Sequence, residues 1–384
     1  MANVFTGLIP IIYLAMDQVA RELTGFIPSV YRNSSAEKAG KDQTVRYPIS
    51  APVVGENITP GDNPADSGDT TEEYADMTIS KARAFPVRIT GEDYKTLDTQ
   101  PGLYDLIMQD RFAQAIRAAV NEIEADLAAQ AAYASRAYGT PGTTPFGSSL
   151  ADIAAVRKIL KDNGCPDGDQ SLVIDTAAGL AMRSLAQYIE VDKAGSDQGR
   201  RNGVLLPLFG MDVRESAAVI EHTKGTATGL DINHVGGYAV GDKTLLVDGG
   251  DAGTVLQGDI VTFAGDTNKY IILSATASGA ASGNVVLAKP GLRKVVADAV
   301  EMTIGNTYRA NLAFHRSALH LVTRAPASPR EGDSALDVTT ITDPVSGLTF
   351  EVRAYAQYRR VKYEVAIAWG TKMVKPEFAA ILAG

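Results

Sequence analysis

The 384-residue chain has one cysteine, one tryptophan and four histidines. A single thiol, Cys165, cannot close an intrachain disulfide, which fits a reducing compartment, and cannot build the common structural zinc sites. The histidines are His222, His234, His315 and His320; they form no HExxH pair. The last two lie five residues apart, a spacing that does not align both on one helical face, so packing and local hydrogen bonding are their expected roles. No GxxxxGK[ST] phosphate loop and no GxSxG elbow occurs. Long apolar runs are missing as well: Leu8–Met16 is too short to span a bilayer and lacks a basic flank. Lys and Arg are absent from Tyr47 to Ser80, whereas Glu56, Asp62, Asp66, Asp69, Glu72, Glu73 and Asp76 all fall inside that stretch.

These absences exclude the motif-bearing enzyme classes and leave no metal or cofactor to expect. The net charge of −9 argues against tight wrapping of nucleic acid, which needs a basic face. The basic clusters Arg200–Arg201 and Arg359–Arg360–Lys362, with Lys372 and Lys375, read as solvated faces or salt-bridge partners. A hydrophobic content of 45% marks a folded protein, and the length exceeds one ordinary core.

What is present is a set of unusually long elements. Residues 103–138 hold no Gly or Pro, which predicts one helix of roughly 50 Å, a strut rather than an ordinary helix. Within it Glu122 and Asp126 stand four apart on one face and read as solvent-facing rather than as a catalytic pair. Residues 10–23 carry an amphipathic helical pattern ending at Gly25. TVRYPISAPVV reads as a strand leading out and MTISKARAFPVRIT as a strand leading back, with the acidic stretch between them. Loops of that length are functional or disordered.

After a Gly/Pro/Thr/Ser-rich break at 139–149, residues 150–162 read as helix, 171–175 as strand and 176–189 as helix, a small α/β unit. Residues 223–308 hold 14 of the 36 glycines and short β-rich runs, the pattern of a small β-barrel or sandwich. Asp248, Asp251 and Asp259 within it fail the spacing of a calcium loop. The α/β unit resumes near Asn311. Phe350, Val352, Ala354 and Ala356, then Val361, Tyr363, Val365, Ile367 and Trp369, alternate as a long C-terminal hairpin with one buried face.

This order of parts resembles the major capsid (coat) proteins of tailed bacteriophages. The phrases AGKDQTVRYPIS, VRKILKDNGCPDGDQSLVID, GDIVTFAG, NLAFHRSALHLV and DPVSGLTFEVRAYAQY carry the likeness. The resemblance implies an α+β chain with the HK97-like capsid fold, and the insert points to the P22-like coat proteins. It assigns 1–45 to an N-terminal arm and helix, 46–88 to an extended loop and 89–147 to a peripheral domain with its spine helix. It assigns 148–222 and 309–340 to an axial domain, 223–308 to an inserted β-barrel domain, and 341–384 to a hairpin returning to the peripheral domain.

The implied function is a non-enzymatic subunit that self-assembles as pentamers and hexamers into a head shell around double-stranded DNA. Implied partners are a scaffolding protein, a portal protein, decoration proteins and weakly, non-specifically held DNA; no membrane is involved, and the implied location is the virion after assembly in the host cytoplasm. The expected subunit contact sets Glu56, Asp62, Asp66, Asp69, Glu72 and Glu73 against Arg359, Arg360 and Lys362 of the next copy. The rival readings are a nanocompartment shell of the same fold and an enzyme with a β-rich binding module.

Overall fold

The computed structural model describes residues 8–18, 24–50, 53, 55, 57, 58, 60, 72–97, 103–190, 201–251, 253–276 and 282–384. Helix α1 (Leu8–Gln18) is followed by strands β1 (Tyr31–Ala39), β2 (Thr44–Ile49), β3 (Glu73–Thr78) and β4 (Lys81–Thr90). Helices α2 (Gly91–Leu97) and α3 (Leu103–Ala129) lead to β5 (Arg136–Tyr138), α4 (Ala151–Asp162), β6 (Gln170–Ile174), α5 (Thr176–Ser184) and α6 (Ala186–Ile189). Then come β7 (Met211–Glu215), β8 (Glu221–His222), β9 (Leu230–Ile232), β10 (Thr244–Asp248), β11 (Ile260–Phe263), β12 (Lys269–Ala275), β13 (Gly283–Leu287) and β14 (Glu301–Ile304). The chain closes with β15 (Tyr308–His315), β16 (Leu319–Pro326), β17 (Ala335–Thr342), β18 (Thr349–Gln357), β19 (Arg360–Met373) and β20 (Ala379–Ala383).

The long helix forms because Met108, Phe112, Ile116, Val120, Ile123 and Leu127 make one continuous buried stripe at helical spacing. That stripe packs on β4 and β19, and α1 packs on α3 through Ile12, Ala15 and Met16. The helix is shorter than its sequence predicts. It ends at Ala129, about 40 Å from its start. A 3-10 turn covers Gln130–Tyr133, and Arg136–Tyr138 is a strand. Tertiary pairing overrides helix propensity here. The Ser135 N–H and hydroxyl both donate to the Ala379 carbonyl, and β5 lies parallel to β20. Of the amphipathic segment 10–23, the described part is helical to Gln18, and 19–23 lie outside the described residues. The expected helix 176–189 breaks at Leu185, whose extended ψ of 134° separates α5 from α6.

Beneath α3 lies a six-stranded sheet in the order β1-β16-β19-β18-β17, with β4 also paired to β19. The alternation at 350–369 is realised as the β18–β19 hairpin, whose Phe350, Val352, Ala354, Val365, Ile367 and Trp369 are buried. Its opposite face is covered as well. There Arg353 donates to Glu351 (2.6 Å) and to Asp333 and Ser328, while Lys38 of β1 approaches Glu351 at 3.1 Å. Near Asn311 the chain returns to the α/β unit, where β15 pairs with β6, and β16 then joins the six-stranded sheet.

β15 sits between β6 and β20 in the second sheet, and α4 packs on β20. The glycine-rich stretch folds as six strands paired in a ring, β11-β14-β9-β10-β13-β12, closed by β12 pairing with β11. Inward residues alternate along each strand, including Leu230 and Ile232, Leu245 and Val247, Tyr270 and Ile272, and Val285 and Leu287. The ring has its own core yet is not a free bead. β12 also pairs with β5, at Lys269↔Ala137 and Tyr270↔Arg136, so one sheet runs from the ring into the body.

One buried charge ties three of these parts together. Glu124 on α3 is 1% exposed. Its Oε1 accepts from the N–H groups of Gly25 (2.5 Å) and Phe26 (2.8 Å) and from the Ser216 hydroxyl (2.8 Å); its Oε2 accepts from Ile27 N–H (3.0 Å). The elbow after α1 and the end of β7 are thus held by one carboxylate, and burial pushes that carboxyl above its usual range despite the four donors. Replacing it strands buried donors, a larger penalty than losing a surface bond. Glu124→Ala is expected to lower the free energy of unfolding by about 3 kcal/mol or more. Urea denaturation checks this, and a loss comparable to an exposed substitution would contradict it.

Candidate subunit interface

The out-and-back strands read from the sequence form a two-stranded antiparallel arm, β2–β3, in register from Thr44↔Thr78 to Ile49↔Glu73. Val45, Tyr47 and Ile49 face inward with Ala75 and Met77, over a small core that includes Ile79, Val322 and Ala368. The arm's root crosses β19 at Gly370, where a Cβ would stand 2.1 Å from the Thr78 carbonyl oxygen. No larger residue fits that crossing. On the outer face Arg46 bonds Asp76 at 2.8 Å and lies over the Tyr74 ring at 5.2 Å. That hydrogen bond holds the Asp76 carboxyl below the usual carboxylate range. Lys372 donates to the Asp76 carbonyl at 2.9 Å, and Lys289 of the ring stands 3.8 Å from Glu73.

Four of the expected acidic contacts, Glu56, Asp62, Asp66 and Asp69, lie outside the described residues. Glu72 is exposed at the start of the arm's return strand. Val53 and Ile58, on the same connection, are 82% and 98% exposed.

The expected basic partners sit at the far end of the six-stranded sheet. A T-x-x-D capping box starts α2: Asp93 accepts from Thr90 N–H (3.2 Å) and Thr90 Oγ1 from Asp93 N–H (3.1 Å). Gly91 N–H donates to the Arg359 carbonyl (3.0 Å), which pins α2 to the β18–β19 turn. Between them opens a groove of 790 Å³, floored by Ile89, Tyr104, Val361 and Tyr363 and edged by Tyr94 and Tyr358. Tyr94 and Tyr104 meet edge-to-face at 5.1 Å, and burial pushes the Tyr104 hydroxyl up to about 12.

The basic trio divides at this groove. Arg359 and Arg360 are exposed at its rim, Arg359 at a φ of 54° in the turn and 5.8 Å from the Tyr358 ring. Lys362 lies outside it, bonded to Glu364 at 2.6 Å and stacked on Tyr355 at 5.7 Å. Lys362 is therefore occupied within its own chain, whereas the two arginines face outward beside four tyrosines.

Glu122 and Asp126 are not a solvated pair. Lys81 reaches both, at 3.3 and 2.8 Å, and Asp126 Oδ2 accepts from the Trp369 indole N–H at 2.8 Å. They fasten α3 to β4 and β19. Asp248, Asp251 and Asp259 do not converge: they bond Asn233, Thr228 and the Gly225 and Leu256 amides in turn, with His222 also on Asp259. Among the described residues no group of three side chains is placed to hold a metal ion. Cys165 is buried and its thiol is pushed up by that burial, the condition of an inert thiol. His315 and His320 lie on strands rather than a helix. His315 bonds Ser317 Oγ at 2.8 Å, and His320 is buried against Tyr31 and Tyr47.

Glu124 and the Thr90–Asp93 capping pair escaped the sequence reading. Glu124 stands directly beside Ile123 and three residues before Leu127, on the apolar stripe itself, and a charge on a buried stripe was the available signal. The capping box at Thr90–Asp93 was also legible as a helix start. The Tyr–Arg groove had no such signal, since its parts come from three separate segments.

Trp369 is the single tryptophan, so its fluorescence reports the seam between α3 and β19. Asp126→Ala is expected to shift that emission and to lower stability by about 1–2 kcal/mol. A double-mutant cycle of Lys81→Met with Asp126→Ala should give a coupling of about 0.5 kcal/mol or more; strict additivity would show that the contact does not hold the seam.

No protein-family model matches the chain, and no curated protein matches it. Among solved structures the chain is similar to one from Mycobacterium phage Che8, at 12% identity and a TM-score of 0.49, covering 94% of this chain and 91% of that one. It is similar to the capsid structure of the Cyanophage P-SCSP1u, at 14% identity and a TM-score of 0.48, covering 94% and 88%. It is also similar to the capsid of a native GTA particle, at 7% identity and a TM-score of 0.46, covering 95% and 93%.

Proposed function

We propose that the chain is the major capsid protein of a tailed bacteriophage, a non-enzymatic tile that closes into an icosahedral head shell around double-stranded DNA. The observation that carries this reading is a pair of complementary features at separate places on one chain. One is an arm whose connection holds acids, prolines and exposed Val53 and Ile58 but no cation. The other is a tyrosine-floored groove rimmed by Arg359 and Arg360. A surface that fits a different surface of an identical copy makes a heterologous contact, and such contacts propagate into rings or closed lattices.

The finer assignments follow from this reading. Residues 223–308 are the inserted domain of the P22-like coat proteins, and the stretch 46–88 is the extended loop that lies on a neighbour. The acids Glu56, Asp62, Asp66, Asp69, Glu72 and Glu73 meet Arg359 and Arg360 of the next copy, with Lys362 contributing field rather than a direct bond. Exposed ion pairs contribute only about 0–1 kcal/mol each. Their role is register, and affinity comes from Ile58, Val53 and the prolines entering an aromatic groove. Scaffolding, portal and decoration proteins are the further partners, and DNA is held loosely because the tile is acidic overall.

The purified chain, co-expressed with its scaffolding partner, is expected to give closed shells by negative-stain electron microscopy; small monodisperse particles alone would overturn the reading. Deleting residues 56–71 should abolish shells while leaving a folded subunit by circular dichroism. The double reversal Arg359→Glu with Arg360→Glu should block assembly, and Glu56→Lys with Asp62→Lys in the same chain should restore part of it. Normal shells from the deletion or from the arginine reversal, or no rescue by the added lysines, would remove this pairing from the interface.

A further inference from the structure

His320 lies on β16, where its register partners are Tyr31 of β1 and Lys372 of β19. Its side chain is 1% exposed. Its ring centroid is 4.7 Å from that of Tyr31 and 4.7 Å from that of Tyr47. Tyr47 belongs to the arm, so the arm itself meets the histidine ring, edge-to-face. Nε2 stands 3.0 Å from the Ser317 carbonyl, an oxygen that only accepts, so Nε2 carries the proton. Nδ1 is buried with no hydrogen-bond partner. A neutral ring tolerates this, because a bare imidazole lone pair is a modest loss. A protonated ring does not, because Nδ1–H would carry charge into an enclosure with no acceptor.

We infer that His320 is a proton-operated catch: neutral, it lets Tyr47 close over it and seats the β2–β3 arm on its own subunit; protonated, it drives the arm off. The arm is the element free to move. It is a two-stranded sheet that joins the rest of the fold through a small core and side-chain contacts, whereas β16 is bound to β19 by an unbroken ladder and to β1 by a parallel ladder interrupted between Ser34 and Lys38.

The charged groups around the ring favour the same direction. Lys375 lies close enough to oppose a second positive charge, and Lys372 stands across the strand. On the arm, Arg46 and Asp76 are exposed on the outer face and bonded to each other, so Tyr47 is the arm's titratable group at the ring. Across the β15–β16 turn burial lowers the pKa of His315 below its ordinary value. Tyr31 and Tyr47 complete the shell. Burial, reinforced by Lys375, depresses the His320 pKa below its ordinary value. The seated state therefore binds the proton less readily than a state with the ring in water. Stability of the seated arm is full at neutral pH and declines as pH falls through the ordinary histidine range, near 6.5.

Hydrogen–deuterium exchange on the unassembled full chain, corrected for intrinsic rates, tests this without reference to shell formation. Between pH 7.5 and pH 5 the protection of residues 44–49 and 73–78 is expected to fall about tenfold, while 319–324 and 360–373 stay protected. His320→Phe keeps the aromatic contacts and cannot titrate, so its arm should stay protected at both pH values. His320→Gln keeps a donor toward Ser317 and serves if the phenylalanine variant does not fold. His315→Gln should leave the transition in place. Unchanged arm protection in the wild type, simultaneous loss in arm and sheet, or a transition that persists in the His320 variants would each overturn the proposal.

Discussion

The rest of the fold depends on α3 lying across β4 and β19. An apolar stripe on a helix gains stability only when something flat meets its full length, and the long strand β19 supplies that surface. Trp369, Asp126, Lys81 and Glu122 then fix the helix at one place along it. Because the same strand also carries β16, β18 and β4, fixing α3 on β19 fixes the sheet, the arm's root at Gly370 and the turn that presents Arg359. Glu124 makes the matching attachment on the helix's other side, where the elbow after α1 and the end of β7 meet.

Polar groups do much of this joining, many of them through partners distant in sequence. Arg136 illustrates it: from the end of the helix region it donates to Asn268 in the ring and to Asn163 after α4. Such contacts add little net stability individually, but leaving any one donor buried without an acceptor is costly. That asymmetry makes the arrangement specific. It also holds the arm and the groove at a set separation.

How far the sequence was legible follows the same division between local and distant causes. The β18–β19 hairpin was plain, because alternation at Phe350–Ala354 and Val361–Trp369 is a local pattern. The ring of strands in 223–308 was plain from its glycine turns, though its closure through β11 and β12 was not. The end of the long helix was misplaced, since nothing within 130–138 says strand; Ala379 and Ala380 say it from the other end of the chain. Glu122 and Asp126 looked solvent-facing because the lysine and indole that cover them lie 41 and 243 residues away. The acids of the arm and the arginines of the groove were visible as charges. The tyrosine floor that gives those arginines a setting was visible only in three dimensions.

The seam formed by β5 has a consequence for the order of synthesis. Its described partners both come later in the chain: β12 only after more than a hundred further residues, and β20 only after more than two hundred. At roughly 5–20 residues per second on the ribosome, β5 waits many seconds with both edges open. Spine helix, ring and β20 therefore become one cooperative unit only once residues 379–383 have been made. Until then the second sheet is incomplete, so the spacing of β5 from its partners along the chain delays the completed fold.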